Sequence, residues 1–454
     1  MNFPRSNLLR FLLPLLLLVA GAVLSSVLVP AEEIKLQQQI SGFPDTYVPA
    51  QQARPYILGA MCFLPALGAF AYCCGGTLDR YISRQFAVIF TLCLATLVMI
   101  WLLIDLADRI ADFRETPRPV NTMLRYYSAR SPALIMSLLP YSLLLSLLYS
   151  LGKFSTNREI VAMIQSGRSV MRLTLPLMIA GLLCSALSMG LNYHWAAAAS
   201  GDLETLLPDT DGKHPVAKNV LFRDPLQNRL WSIGEFPRNY QLGEALRNVE
   251  ITTTRADKTL ESRLTAKRAL WDREMHRWTF EEPVLGTFAP GQPGDFKPIA
   301  GNLTIDTWSE TPWQLIKPGL SAGDLDVPDL ETWLRANSKN GHFADPAPYL
   351  TQWHYRWALP LTCIVTVLLA TPLAVHFSRR GPGGGVFVAV VLSGLLLLLT
   401  NISMALGESG AIRPMHAAWL PNLAFGLLGL YLFHRRLTGQ PIYLVLRRLF
   451  PGND

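Results

Sequence analysis

Long apolar runs constrain this chain more than any other feature. Residues 9–29, 56–74, 131–151, 171–192, 355–376, 386–406 and 416–434, with a further run ending near Ile104, are dominated by apolar side chains. Several exceed the roughly 18 uncharged residues that suggest a bilayer span. At 50% hydrophobic and 16% charged over 454 residues, the chain is too apolar for an ordinary soluble protein. The reading is a polytopic α-helical membrane protein with about eight transmembrane helices. The first run follows Arg5 and Arg10. A signal peptide has the same basic start, but the run is long and Val27-Leu28-Val29-Pro30-Ala31 is a poor cleavage site, which favours an anchor helix. Either way, the polar stretch from Ala31 to Arg54 is expected as a loop outside.

The net charge of +7 does not point to nucleic acid, because the basic residues cluster beside the ends of apolar runs, where the positive-inside bias puts them. Lys153, Arg158, Arg168 and Arg172 mark one such end, and Arg435-Arg436 with Arg447-Arg448 place the C-terminus on the same, cytoplasmic side. All six cysteines, Cys62, Cys73, Cys74, Cys93, Cys184 and Cys363, lie in or beside apolar runs without metal-ligand or disulfide spacing, so buried free thiols are expected.

From about Tyr193 to Pro348 the chain turns polar and carries no span. Short alternating runs, Asn219–Arg223, Arg229–Ile233, Val249–Thr254, Arg277–Phe280 and Leu303–Asp306, are separated by Asp-Pro, Gly or Asn clusters. This is expected to be an inserted extracytoplasmic all-β domain, a single curved sheet or jellyroll-like layer. Near its end, Pro328–Leu334 reads as a short helix with Asp329 as its cap. Trp353-His354-Tyr355 then reads as an aromatic belt where the chain re-enters the membrane.

Between the fourth and fifth runs lies a short segment with both ends marked. Thr156 and Glu159 have capping-box spacing, and Gly167 supplies a stop. Ile160, Met163 and Ile164 fall at i, i+3 and i+4 on one face, while Arg158, Gln165 and Arg168 stay available to water. Two readings stay open: the stripe packs on the protein's own helices or the lipid interface, or it docks another subunit.

The turn between the third and fourth runs should lie outside, yet it carries Arg109, Arg114, Arg118, Arg125 and Arg130. An anionic ligand would explain this excess; so would local neutralisation by Asp108, Asp112 and Glu115. Asp105, Asp108 and Asp112 recur about a helical turn apart, the pattern of a solvated helix end or of a polar path. Gly152-Lys153-Phe154-Ser155 lacks the glycines and the Lys-Ser/Thr pair of a Walker A loop, and Gly381-Pro382-Gly383-Gly384-Gly385 has no lysine beside it. The eight histidines show no ligand spacing. No catalytic residue is assigned, and no cofactor is expected to bind the chain directly.

Three stretches carry a family resemblance: Leu78-Asp79-Arg80-Tyr81-Ile82-Ser83-Arg84-Gln85-Phe86; the Leu-Pro, Ser and Leu-rich run Leu138–Gly152; and Asn157–Ser169, similar to a Ser-Glu-Leu-x-x-Met-x-x-x-Gly-x-Ser coupling segment. With three spans, a β domain and three more spans from Leu78 to Arg436, the chain resembles the LptF/LptG (YjgP/YjgQ) lipopolysaccharide-export permeases, leaning LptG-like in its Leu-Asp-Arg-Tyr-Ile opening.

The resemblance implies a non-enzymatic half-transporter in the bacterial inner membrane, multi-pass, with a periplasmic domain. A second LptF/LptG-type permease would complete a cavity for lipopolysaccharide, and an LptB-like cytoplasmic ATPase dimer would consume the ATP. LptC/LptA-like periplasmic proteins would take the lipid onward. Arg158, Glu159, Ile160, Met163, Ile164 and Gly167 become the ATPase-coupling residues, with the three apolar ones as knobs entering the ATPase. Asp105, Asp108, Arg109 and Arg114 become lipid-substrate candidates, although Asp105 stands near a position where some relatives carry lysine.

The expected organisation is then an N-terminal extension with two extra spans (1–76), the first core half (77–193) with coupling helix 156–167, a periplasmic β domain (194–350), three last spans (351–436) and a basic cytoplasmic tail (437–454). A permease should also line its cavity with small or polar residues such as Ser142, Ser146, Ser150, Thr400 and Ser403. Two rivals stand beside it: a membrane-anchored scaffold whose β domain binds an envelope partner, and an exporter of a different amphiphilic lipid.

Overall fold

The structure, a computed structural model, describes residues 11–41, 48–114, 119–197, 217–374 apart from short connecting segments, and 383–438. The first part is helical: α1 (Leu12–Ser41), α2 (Val48–Cys62), α3 (Leu64–Cys74), α4 (Thr77–Arg114), α5 (Pro119–Thr156), α6 (Glu159–Gln165) and α7 (Val170–Tyr193). Among the described residues eight strands follow: β1 (Ala217–Asp224), β2 (Arg229–Phe236), β3 (Leu246–Thr254), β4 (Leu260–Asp272), β5 (Arg277–Glu281), β6 (Val284–Thr287), β7 (Asp295–Pro298) and β8 (Leu303–Ile305). The chain closes with α8 (Pro312–Ile316), α9 (Val327–Asn340), α10 (Ala347–Ala358), α11 (Leu361–Ala374), α12 (Gly383–Glu408) and α13 (Pro414–Leu437). Among the described residues, seven helical stretches are long and apolar enough to span a bilayer, or eight when the bent pair α10 and α11 counts as one.

The core of the bundle is a leucine ridge. Leu139, Leu143, Leu147 and Leu151 recur every four residues on α5, and each is essentially sealed from solvent. They pack with Leu177 of α7 and with α11, whose Cys363, Val367, Leu369 and Ala370 are buried as well. Burial around so much of α11 matches its nearly continuous apolar sequence. Ser142, Ser146 and Ser150 lie beside the ridge. Each is buried and donates its hydroxyl to the carbonyl three residues back, so they fill a packed seam rather than line a cavity. Thr400 bonds Leu396 O and Ser403 bonds Ala417 O, again within the bundle.

The strands form one antiparallel sheet in the order β1-β2-β3-β4-β5-β8, with β6 pairing β4 and β7 extending from β6. Alternation puts Trp231, Ile233, Val249, Ile251, Trp278 and Phe280 on one buried face, which α8 and the start of α9 cover through Leu315, Ile316 and Leu330. At the edge of this core a buried Arg229–Glu310 pair (2.9 Å) lies under the Trp308 ring, while the Trp278 indole donates to Glu310 O at 2.7 Å. The domain is an open, jellyroll-like sheet. Every strand expected from the alternation is present, and β4, β6 and β7 are additional.

Several local expectations change. The polar stretch 31–54 is largely helical, since α1 runs to Ser41 and α2 starts at Val48. The expected single span at 355–376 is two helices bent by 52°, broken at Pro360, whose ring cannot continue the hydrogen-bond ladder. α9 starts one residue earlier than expected and is capped by Asp326, whose carboxylate accepts from the Asp329 N–H at 2.7 Å; Asp329 lies in its first turn. Trp353 of α10 is not simply an interfacial ring, because it packs against the β-domain core, and Tyr349 stacks on Trp333 of α9 at 3.5 Å. Arg5, Arg10, Glu115, Arg118, Gly381, Pro382 and the tail 439–454 lie outside the described residues, whereas Gly383, Gly384 and Gly385 of the glycine-rich turn open α12.

Candidate functional site

Two sites come from the sequence, and they lie at opposite ends of the bundle. The first is α6. Thr156 does not cap it: that residue ends α5, with its hydroxyl donating to Gly152 O at 2.9 Å. The chain instead turns at Arg158, which holds a left-handed conformation (φ 57°) in front of Glu159. The expected capping box is therefore absent, and Glu159 is used differently. Its two oxygens accept from Asn157 Nδ2 (3.1 Å) and from the Tyr81 hydroxyl (3.1 Å), tying α6 to the start of α4.

The far end is as the glycine suggested. Gly167 sits at φ 84°, the Arg168 N–H reaches Met163 O and the Gly167 N–H reaches Ile164 O, which is a Schellman closure. Ser169 then caps α7 by accepting from the Arg172 N–H at 3.3 Å.

The apolar stripe of α6 faces its own protein. Ile160 is fully buried in the bundle core, and Met163 and Ile164 pack partly against the same cluster. Burying one isoleucine is worth about 1.5–3 kcal/mol, enough to seat a two-turn helix that could not stand alone. Arg158, Ala162, Gln165, Ser166 and Gly167 face outward.

The second site is the opposite end of α4 and α5, where α7 leads into the sheet. Asp105 accepts from Arg109 at 3.4 Å, and the Arg109 guanidinium lies 5.4 Å over the Tyr126 ring. Arg130 donates to the Tyr126 hydroxyl (3.1 Å) and lies 4.9 Å over Trp101. Phe113 meets Tyr126 edge-on at 5.5 Å, and Tyr126 meets Tyr127 at 5.1 Å. Asp105 and Arg109 are thus brought together, whereas Asp108 and Arg114 are exposed and stand apart from the pair. Sequence reading picked out the charges but missed Trp101, Tyr126 and Tyr127; for the two tyrosines the one-turn spacing to Arg130 was the available signal, whereas Trp101 meets Arg130 only across helices. Among the described side chains of this turn, Arg109, Arg114, Arg125 and Arg130 outnumber Asp105 and Asp108.

Among the described residues, no three His, Cys, Asp or Glu side chains gather to hold a metal ion. Among curated proteins compared one by one with the chain, none matches. The family model for the lipopolysaccharide export system permease LptF/LptG matches residues 80–435, which takes in both sites, the sheet and every helix from α5 to α12. The chain therefore belongs to the LptF/LptG permease family, as a multi-pass inner-membrane protein with a periplasmic β domain.

Proposed function

We propose that this chain is one permease half of an ATP-driven exporter that takes lipopolysaccharide from the inner membrane and passes it through the β domain. Its partners are a second LptF/LptG-type permease, an LptB-like ATPase dimer in the cytoplasm and LptC/LptA-like periplasmic acceptors. The observation that carries the reading is the build of α6. A short helix is clamped at both ends, anchored by Ile160 and tethered by Glu159 to α4, and it turns a polar, small-residue face outward. A helix held this way transmits a push from a cytoplasmic partner into α4, α5 and α7.

On this reading the coupling surface is Arg158, Ala162, Gln165 and the Gly167 turn, with Met163 and Ile164 at its edge. Ile160 is the anchor beneath it rather than a knob entering the ATPase. At the periplasmic end, Arg114 and Arg125 are the exposed cations for lipid phosphates, with Arg109 exchanging Asp105 for a phosphate oxygen. The Leu78-Asp79-Arg80-Tyr81-Ile82 opening favours the LptG-like place in the pair.

The test is capture of the ATPase encoded by the same organism after co-expression. Wild type should retain it through purification. Ala162→Arg should lose it while leaving the chain folded, and Asp108→Asn should not. Capture that ignores Ala162→Arg contradicts the assignment of this face and moves the scaffold reading ahead.

A further inference from the structure

The matched family region begins at residue 80, so α1, α2 and α3 lie outside it. They do not hang loosely beside the bundle. α3 packs against α4 and α7, and Gly190 of α7 leaves room for Met61 of α2: a Cβ there would come within 2.3 Å of the Met61 sulfur. The Tyr193 hydroxyl donates to Ala50 O at 2.8 Å.

At the periplasmic end these contacts converge on buried charge. Arg54 of α2 pairs with Glu32 of α1 at 2.5 Å, their side chains only 4% and 8% exposed, and donates to Gln51 Oε1 at 2.9 Å. It also meets His194 Nε2 at 2.5 Å, just past the end of α7. A guanidinium can only donate, so Nε2 must accept, and the imidazole proton sits on Nδ1, facing Asp326. Asp326 caps α9, and Gln51 Nε2 donates to Asp329 of the same helix at 3.2 Å. The chain of bonds therefore runs from α1 through α2 and the end of α7 into α9.

α9 in turn belongs to the β domain, because Leu330 and the preceding Leu325 are buried in the core of the sheet. Burial alone would raise the Asp326 carboxyl, but the His194 hydrogen bond, the Asp329 N–H and the nearby Arg54 guanidinium together hold it below the usual carboxylate range. Only a network whose members satisfy each other keeps so many polar groups buried.

From this geometry we propose that the N-terminal helical pair is a brace that fixes the base of the β domain to the membrane bundle, with Arg54 as its positioning residue. The brace sets the angle at which the sheet stands over the bundle, and it does so from outside the segment shared with the family. This holds whichever amphiphile is carried.

The test is hydrogen exchange on the full chain in lipid nanodiscs. Arg54→Ala should speed exchange across Val327–Asn340 by about tenfold or more, because it leaves Glu32 and Asp326 buried without their cation, while β2 and β3 stay protected. Glu32→Gln should give a smaller rise in the same helix, and the double variant should add little to Arg54→Ala, since the two act through one contact. A folded Arg54→Ala chain with wild-type exchange in α9, or effects of the two changes that simply add, overturns the proposal. If Arg54→Ala loosens the strands too, Glu32→Gln decides alone: a rise confined to α9 supports the brace, and no rise or a global one overturns it.

Discussion

The two ends of the bundle solve the same problem differently. At the cytoplasmic end, α6 is held by one buried isoleucine and a hydrogen bond from Tyr81 to Glu159 that stays open to water. At the periplasmic end, the β domain is held by buried charges: the Glu32–Arg54–His194–Asp326 chain, and beside it Arg356 of α10, which bonds Asn192 Oδ1 (3.1 Å) and Gly323 O (2.9 Å). Apolar contact is non-directional and lets a helix rock in its seat. A buried charged network is directional and strongly penalises partial rupture. On the proposed function, the difference means that α6 moves against a fixed scaffold of which the base of the β domain is part.

The comparison breaks first at Arg356. Arg356→Ala should destabilise the chain by about 3 kcal/mol or more, since two charge-assisted hydrogen bonds are lost and Asn192 Oδ1 is left buried without its donor. Unfolding followed by tryptophan fluorescence would measure this, and a loss within experimental scatter would mean that the periplasmic joint is not held by charge. Ile160→Ala comes next. It removes the anchor of α6 at about 2–5 kcal/mol of local cost, so proteolysis near Arg158 should rise sharply while the β domain stays resistant.

Acid sharpens the contrast. The folded carboxyl of Asp326 lies below its usual 3.8, so its stabilising contribution is complete above that value and is lost as pH falls through the lower folded one. Exchange in α9, corrected for its intrinsic pH dependence, should show a climb as pH falls below the usual 3.8 that is absent above it. Asp326→Asn should remove the climb. The smallest effect belongs to Tyr81→Phe, which deletes one exposed hydrogen bond worth under about 1 kcal/mol. It should leave stability nearly unchanged yet loosen the register of α6 against α4, seen as faster exchange at Glu159 and Ile160 alone.

How much of this was legible follows from the range of each interaction. The spans were, because about 18 apolar residues in a row admit few alternatives. Five strands were as well, through their alternation. β4 was not, since Lys267, Arg268 and the other charges of Leu260–Asp272 blur the alternation, and pairing on both sides forms the strand. Thr156 and Glu159 were misassigned because a threonine can end one helix as readily as start the next, and only the chain direction at Arg158 decides. Pro360 marked the break in the re-entering span, but hydropathy is blind to a bend. The ionic node was invisible: Arg54 and His194 lie 140 residues apart, and Gln51 and Asp329 lie 278 apart, so nothing local announces them.

The most direct measurement is ATP-dependent release of lipopolysaccharide from proteoliposomes holding this chain, its partner permease and the ATPase, with an LptC/LptA-like acceptor outside. The account predicts transfer that requires ATP, is lost with Ala162→Arg in the coupling face, and persists with Asp108→Asn. ATP-independent transfer, or transfer unaffected by Ala162→Arg, would contradict the claim that α6 carries the stroke into the bundle.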